Sequence, residues 1–159
     1  MGSPYIIDYH QTFHLPAPPE EVWAAIERMD CFESWWSWLR DFAVDGDGLV
    51  AGAVLHGVVV PPPPLPYRMR LWAALGDCAP PRQIEAVVHG DLEGQARVSL
   101  EPDGQGTQAQ VAWRLEMMQR PMRQAAWIAY PLMRWGHDWV VKATVAGFCR
   151  QLLAGRSPS

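Results

Sequence analysis

The chain has 159 residues, 49% of them hydrophobic and 19% charged, and a net charge of −4. That length predicts a single domain over 1–159, with its folded part at about 5–153 and a loose tail after it, and the composition excludes a disordered chain. No apolar run approaches the ~20 residues that span a bilayer, so no integral membrane segment is expected, and the dispersed basic residues form no stripe for nucleic acid.

Of the 13 basic residues only Lys142 is lysine. We read that bias as the mark of a GC-rich, bacterial-type coding genome. Met1 to Asp8 carry neither a basic n-region nor an apolar h-region, so a signal peptide is not expected and the cytoplasm is the expected compartment. Cys31, Cys78 and Cys149 are an odd number with no pair at metal spacing, as suits buried or idle thiols in a reducing compartment. Of the five histidines only His10 and His14 stand at HxxxH spacing, both within the first predicted strand, and there is no CxxC. Neither a protein-held metal nor a cofactor is expected. Nine tryptophans suit an ordinary core and also the wall of an apolar pocket.

Tyr5 to Leu15 reads as a first strand. His10 and His14 share its more polar face. Pro16 to Trp23 is a helix start, because prolines are tolerated in the first turn and Glu20 and Glu21 favour the positive end of the dipole. That helix should run to about Met29. Asp30 is placed to cap a second short helix from Phe32 to about Trp38. Leu39 to Val44 is a second strand. Asp45-Gly46-Asp47-Gly48 is a hairpin turn rather than a calcium loop, since the regular acidic spacing and the closing Glu are missing.

Leu49 to Val60 reads as a long apolar strand. The run Pro61 to Pro66 cannot join a ladder and should leave the sheet as a stiff loop, one lip of a pocket. Tyr67 to Leu75 is a fourth strand with Met69 and Leu71 facing inward, followed by a turn at Asp77 to Pro81. Gln83 to Val88 is a fifth and Leu92 to Leu100 a sixth. Glu101 to Gly106 is a turn signal. Thr107 to Met118 is a seventh strand, with Ala109, Val111, Trp113, Leu115 and Met117 alternating inward.

Strands three to seven follow one another by short connections, which makes neighbours antiparallel. The predicted architecture is α+β: a curved, seven-stranded antiparallel sheet around a long C-terminal helix, with two short helices after the first strand.

The long helix runs from Pro121 to Leu153, and Pro131 should kink it. At about 100° per residue, Trp127, Tyr130, Arg134, His137, Asp138, Val141, Val145, Phe148 and Leu152 form one stripe. Its upper half is polar where a core helix would be apolar. Buried polar groups need partners or water. Arg134 and Asp138, at i and i+4, could pair with each other, or the whole group could face a cavity.

Trp135 and Trp139, with Ile128, Leu132 and Leu153, form a second apolar stripe. Burial against the short helices or the sheet rim is the plain reading. A homodimer face, another partner surface or a membrane-touching lid is the other.

Several phrases carry a family resemblance. Phe13 to Trp23, the pair Trp35-Trp36, the hairpin Gly90-Asp91-Leu92-Glu93-Gly94, and His137-Asp138-Trp139 with Gly147-Phe148 resemble the START-like superfamily, also known as SRPBCC or helix-grip. The resemblance spans about Tyr5 to Leu153. It implies a hydrophobic small molecule, lipid- or polyketide-like, bound between sheet and helix. Some members cyclise or dehydrate polyketides and some carry lipids.

On that footing Tyr130, Arg134, His137, Asp138, Val141 and Val145 are candidate ligand contacts from the helix. Met69, Trp113, Met117 and His56 are candidates from the sheet. In the alternative, enzymatic reading, a polyketide cyclase or dehydratase, His137 is the acid or base, because its ordinary pKa lies near neutrality. Tyr130 or Arg134 would steady an enolate oxygen. Asp138 lies about 100° round the helix from His137 and is poorly placed to orient its ring.

Overall fold

The computed structural model describes residues 6–61, 68–118 and 120–154, with side chains in the last segment from 131 onward apart from 133. Most of the proline run, Tyr67, the side chains of Trp127, Ile128 and Tyr130, and the predicted tail lie outside the described residues.

The chain opens with strand β1 (Ile6–Leu15), then helix α1 (Pro19–Ile26), a 3-10 turn (Met29–Cys31) and a four-residue helix α2 (Phe32–Trp35). Strands β2 (Leu39–Asp45), β3 (Val54–Val59), β4 (Met69–Ala79), β5 (Gln83–Gly90), β6 (Leu92–Asp103) and β7 (Gly106–Met117) follow. Helix α3 (Arg120–Ala154) closes the chain and continues through Pro131.

The sheet has seven strands in the order β1-β7-β6-β5-β4-β3-β2, each neighbour antiparallel. β1 and β2 are the two edges, so α1 and α2 carry the chain from one edge to the other. The sheet curves and α3 lies along its inner face: the helical grip.

Proline at the start of α1 and acidic residues in its first turn match the N-terminal chemistry of a helix. Val22 and Trp23 bury its inner face. α2 is shorter than expected, and Asp30 does not cap it: Asp30 lies in the 3-10 turn, and no side chain caps the helix at Cys31. The reason lies across the fold. Trp36 turns to an extended conformation, and its indole N–H donates to the Thr144 carbonyl of α3 at 3.0 Å. Gly147 makes this approach feasible. A Cβ there would sit 2.9 Å from the Trp35 carbonyl oxygen and 3.0 Å from the Trp36 ring.

Three sequence expectations need correction. The apolar run from Leu49 is not all strand; only Val54–Val59 pairs. Leu49 and Ala53 are buried from a loop. That loop satisfies its backbone by turning on itself and docking on β4, through Val50 N–H to Gly48 O and Gly52 N–H to Leu75 O. Burial, not pairing, set its hydrophobicity.

Next, β4 does not stop at Leu75. It continues to Ala79 past an irregularity between Leu75 and Cys78, and the turn falls at Pro80 to Arg82. Finally, β6 extends to Asp103, so the β6–β7 loop is only Gly104 and Gln105. Pro102 is accommodated because β5 pairs no further along β6 than Ser99.

Two apolar clusters form. The larger joins α1, α2 and the C-terminal half of α3, around Val22, Trp23, Trp36, Leu100, Phe148 and Leu152. The smaller comprises Val88, Leu92, Leu115 and Met117, with Met69, Leu71 and Trp113 against it. Each fully buried aliphatic or aromatic side chain contributes about 1.5–3 kcal/mol.

Candidate functional site

Between α3 and the sheet lies a cavity of ≈ 470 Å³ that touches both clusters. Alternation explains its walls. Odd-numbered residues of β7 point inward, so Val111, Trp113, Leu115 and Met117 line it, and Met69 and Leu71 do so from β4. From α3 the described lining is Gly136 with His137, Val140, Val141, Thr144, Val145 and Phe148, the last six following the i, i+3, i+4, i+7 face of the helix. Trp36 and Trp38 form part of the wall near α2. Among the described residues, no Asp, Glu, Lys or Arg lines it. Such a volume with few polar groups is the usual form of a small-molecule pocket.

His137 is the polar centre. Its Nε2 accepts the Trp113 indole N–H at 3.1 Å, and its Nδ1 lies 3.1 Å from Asp138 Oδ1. This pattern fixes the neutral tautomer with the proton on Nδ1, because Nε2 must offer a lone pair to Trp113. The Tyr9 ring stacks on Trp113 at 4.7 Å and meets His137 edge-on at 4.9 Å. Burial pushes the His137 pKa down from its ordinary value; the Asp138 hydrogen bond and charge oppose this, and Arg134 adds to it. Burial likewise pushes the Tyr9 phenol up, helped by the Asp138 carboxylate.

The structure brings some of the predicted site residues together and not others. Met69, Trp113, Met117, His137, Val141 and Val145 all line the cavity. Arg134 and Asp138 do not. They form an i,i+4 pair, Nε to Oδ1 3.6 Å, with side chains 38% and 46% exposed. His56 also lies off the cavity, and its Nε2 is 3.8 Å from Asp45 Oδ2. It stands opposite the exposed Trp72, whereas Gly57 and Val59 stand opposite the inward Leu71 and Met69.

Asp138 does orient the His137 ring, contrary to expectation. The helical angle separates the two Cβ atoms, but the short carboxylate reaches sideways to Nδ1. Tyr130 falls among the undescribed side chains.

Sequence reasoning missed Tyr9, Val140 and Thr144. The last two were recoverable from His137 at i+3 and i+7. The second stripe is not buried in the monomer: Leu132 is 56% and Trp135 49% exposed, and Trp139 is half-buried.

The His137 arrangement carries a pH expectation. A buried imidazole that resists protonation binds fewer protons folded than unfolded near its ordinary pKa of about 6.5. Its contribution is therefore full above that pH and is lost as pH falls below it. Protonation also places a second N–H on Nε2, facing the Trp113 donor. Urea unfolding of wild type and His137→Gln at pH 7.5 and 5.5 checks this. The gap in wild type's favour should shrink on acidification by less than about 1.4 kcal/mol per pH unit, the full slope for one proton. The comparison cancels the exposed His14–Asp103 and His89–Glu93 pairs common to both proteins.

The sequence model of a family described as polyketide cyclase / dehydrase and lipid transport matches residues 7–154. No curated protein matches the chain. Solved structures do. A protein from Thermus thermophilus is similar at 16% identity and a TM-score of 0.77, over 95% of this chain and 100% of that one. The Zhui aromatase/cyclase from Streptomyces sp. R1128 is similar at 11% and 0.72, over 92% and 93%. Norcoclaurine synthase from Thalictrum flavum, in complex with dopamine and hydroxybenzaldehyde, is similar at 14% and 0.64, over 96% and 90%. At these identities the likeness is one of fold. Among the described residues no helix is long and apolar enough to cross a membrane.

Proposed function

The chain belongs to the polyketide cyclase / dehydrase and lipid transport family, and from that premise we propose that it binds a hydrophobic small molecule, lipid- or polyketide-like, in the cavity between sheet and α3. The observation that carries this reading is the ≈ 470 Å³ space walled by apolar side chains. Native cores are packed to near-crystalline density and leave few voids larger than a water molecule. In this reading Val141 and Val145 contact the ligand from the helix, and Met69, Trp113 and Met117 from the sheet. His137 stands at the polar point of the wall.

Native mass spectrometry of the purified protein, with titration of the neutral fluorophore N-phenyl-1-naphthylamine, tests it. We expect a co-purified molecule or saturable micromolar binding. The absence of both, in a folded protein, would remove the proposal.

The second reading is a cyclase or dehydratase step at His137, and it takes its support from the aromatase/cyclase neighbour. One feature of the site constrains it. Both His137 nitrogens are engaged, so a substrate proton reaches Nε2 only when Trp113 gives way. Full turnover of a polyketide substrate by His137→Ala and Arg134→Ala would dispose of the assigned roles. A partner-binding use of the Trp135 and Trp139 face is supported by its exposure alone.

A further inference from the structure

Among the described residues, five side chains in the cavity wall carry a nitrogen or oxygen: Trp36, Trp38, Trp113, His137 and Thr144. Four are engaged within the protein. Trp36 N–H donates to Thr144 O at 3.0 Å, and Trp113 N–H to His137 Nε2 at 3.1 Å. His137 Nδ1 meets Asp138, and the Thr144 hydroxyl donates to Val140 O at 2.7 Å. Trp38 is the exception. Its Nε1 is buried with no hydrogen-bond partner.

We propose that the cavity takes an uncharged ligand bearing a carbonyl-type oxygen, and that Trp38 Nε1–H is the group that binds that oxygen. This rests on the hydrophobic-ligand reading and names the ligand class within it. An indole N–H only donates, so its complement is an acceptor. A buried donor without a partner costs free energy. A ligand oxygen removes that cost on binding and a hydrocarbon does not.

The charge of the ligand follows from the same wall. A carboxylate would enter apolar space in which, among the described residues, no lysine or arginine lines the wall to meet it. Arg134, the nearest arginine along α3, is paired with Asp138. Ketones and esters are therefore favoured over acids. Trp38 is also well supported. Its ring stacks on Trp36 at 5.6 Å and 16°, and its carbonyl accepts Val60 N–H at 2.7 Å. The ring is part of the wall while its Nε1 is buried, so the indole must turn on binding to bring its N–H to a molecule inside.

The test uses three probes of one size class, 2-acetylnaphthalene, 2-isopropylnaphthalene and 2-naphthoate, against wild type and Trp38→Phe. We expect the ketone-to-hydrocarbon affinity ratio to fall roughly five- to thirtyfold in the variant. Naphthoate should bind more weakly than the ketone in wild type. An unchanged ratio would overturn the role of Trp38. Naphthoate binding as tightly as the ketone would overturn the uncharged class. Failure of the hydrocarbon itself to bind wild type would remove the ligand-binding reading, and this proposal with it. Should the variant not fold, the wild-type Trp38 indole proton decides by NMR. It should move downfield with the ketone and stay with the hydrocarbon, and no selective shift would overturn the proposal.

Discussion

Val141→Trp is expected to weaken binding of hydrophobic probes roughly tenfold or more while leaving the fold as stable as before, or more so. The two halves of that expectation have one cause. Val141 faces the cavity from α3, one turn beyond His137. In a filled core, adding an indole forces side chains off their rotamers and costs about 1–3 kcal/mol. In empty apolar space the added surface is simply buried, at about 25 cal/mol per Å².

Cavity filling typically adds about 0.5–2 kcal/mol, which for a chain of this length is a rise in Tm of about 1–8 °C. Thermal unfolding and probe titration of the same samples measure both. A fall in Tm with binding retained would show that Val141 packs in solid core and that the ligand sits elsewhere. A rise in Tm with binding lost separates a cavity from loose packing, which a simple loss of binding cannot do.

Much of the frame was legible from period alone. In β7 the inward set was readable because outward Gln110, Arg114 and Glu116 mark the phase. The same alternation put Met69 and Leu71 inward against Arg68 and Arg70. His56 shows where this fails. Val54 and Val58 share its face, while Leu55 and Gly57 flank it, so nothing within β3 fixes the phase. Only the pairing with Met69 and Leu71 does. The run from Leu49 to Ala53 fails for a related reason: local apolar content reports burial, and a docked loop buries as well as a strand.

The site was less legible than the frame. The stripe drawn through Arg134 and Asp138 runs along the edge of the lining arc, and the true face includes Val140 and Thr144. Helical angles locate Cβ atoms, whereas the His137–Asp138 contact depends on how the two side chains turn. The engagement of Trp113 and Trp36, and the lack of it at Trp38, depend on partners 24 and 108 residues away or on none at all. Such facts exist only in three dimensions.

Gly94→Ala should be the most damaging single methyl in the sheet. Gly94 sits in β6 between Val88 of β5 and Leu115 of β7, with φ +157°. A Cβ there would run into the Arg114 carbonyl oxygen, and would lie 3.1 Å from Leu115 Cα. Backbone cannot swing aside as a long side chain can, so the strand must move. The neighbours that would move with it matter. Asp91, at the tip of the same hairpin, ties it to β4 through Arg70 N–H to Asp91 Oδ2 at 2.7 Å, and accepts Met118 N–H at 2.9 Å.

Leu92, Leu115 and Met117, which flank the hairpin, are both the smaller core cluster and the cavity wall. Strain and overpacking together should cost about 3 kcal/mol or more. A domain holds only about 5–15 kcal/mol, so Tm should fall by about 6–12 °C or further, measured by calorimetry against wild type. Probe affinity should fall with it, because the methyl displaces the strand that carries the wall. A Gly94→Ala protein with unchanged Tm and unchanged binding would mean that β6 and β7 stand further apart in solution than the pairing of Gly94 with Leu115 allows.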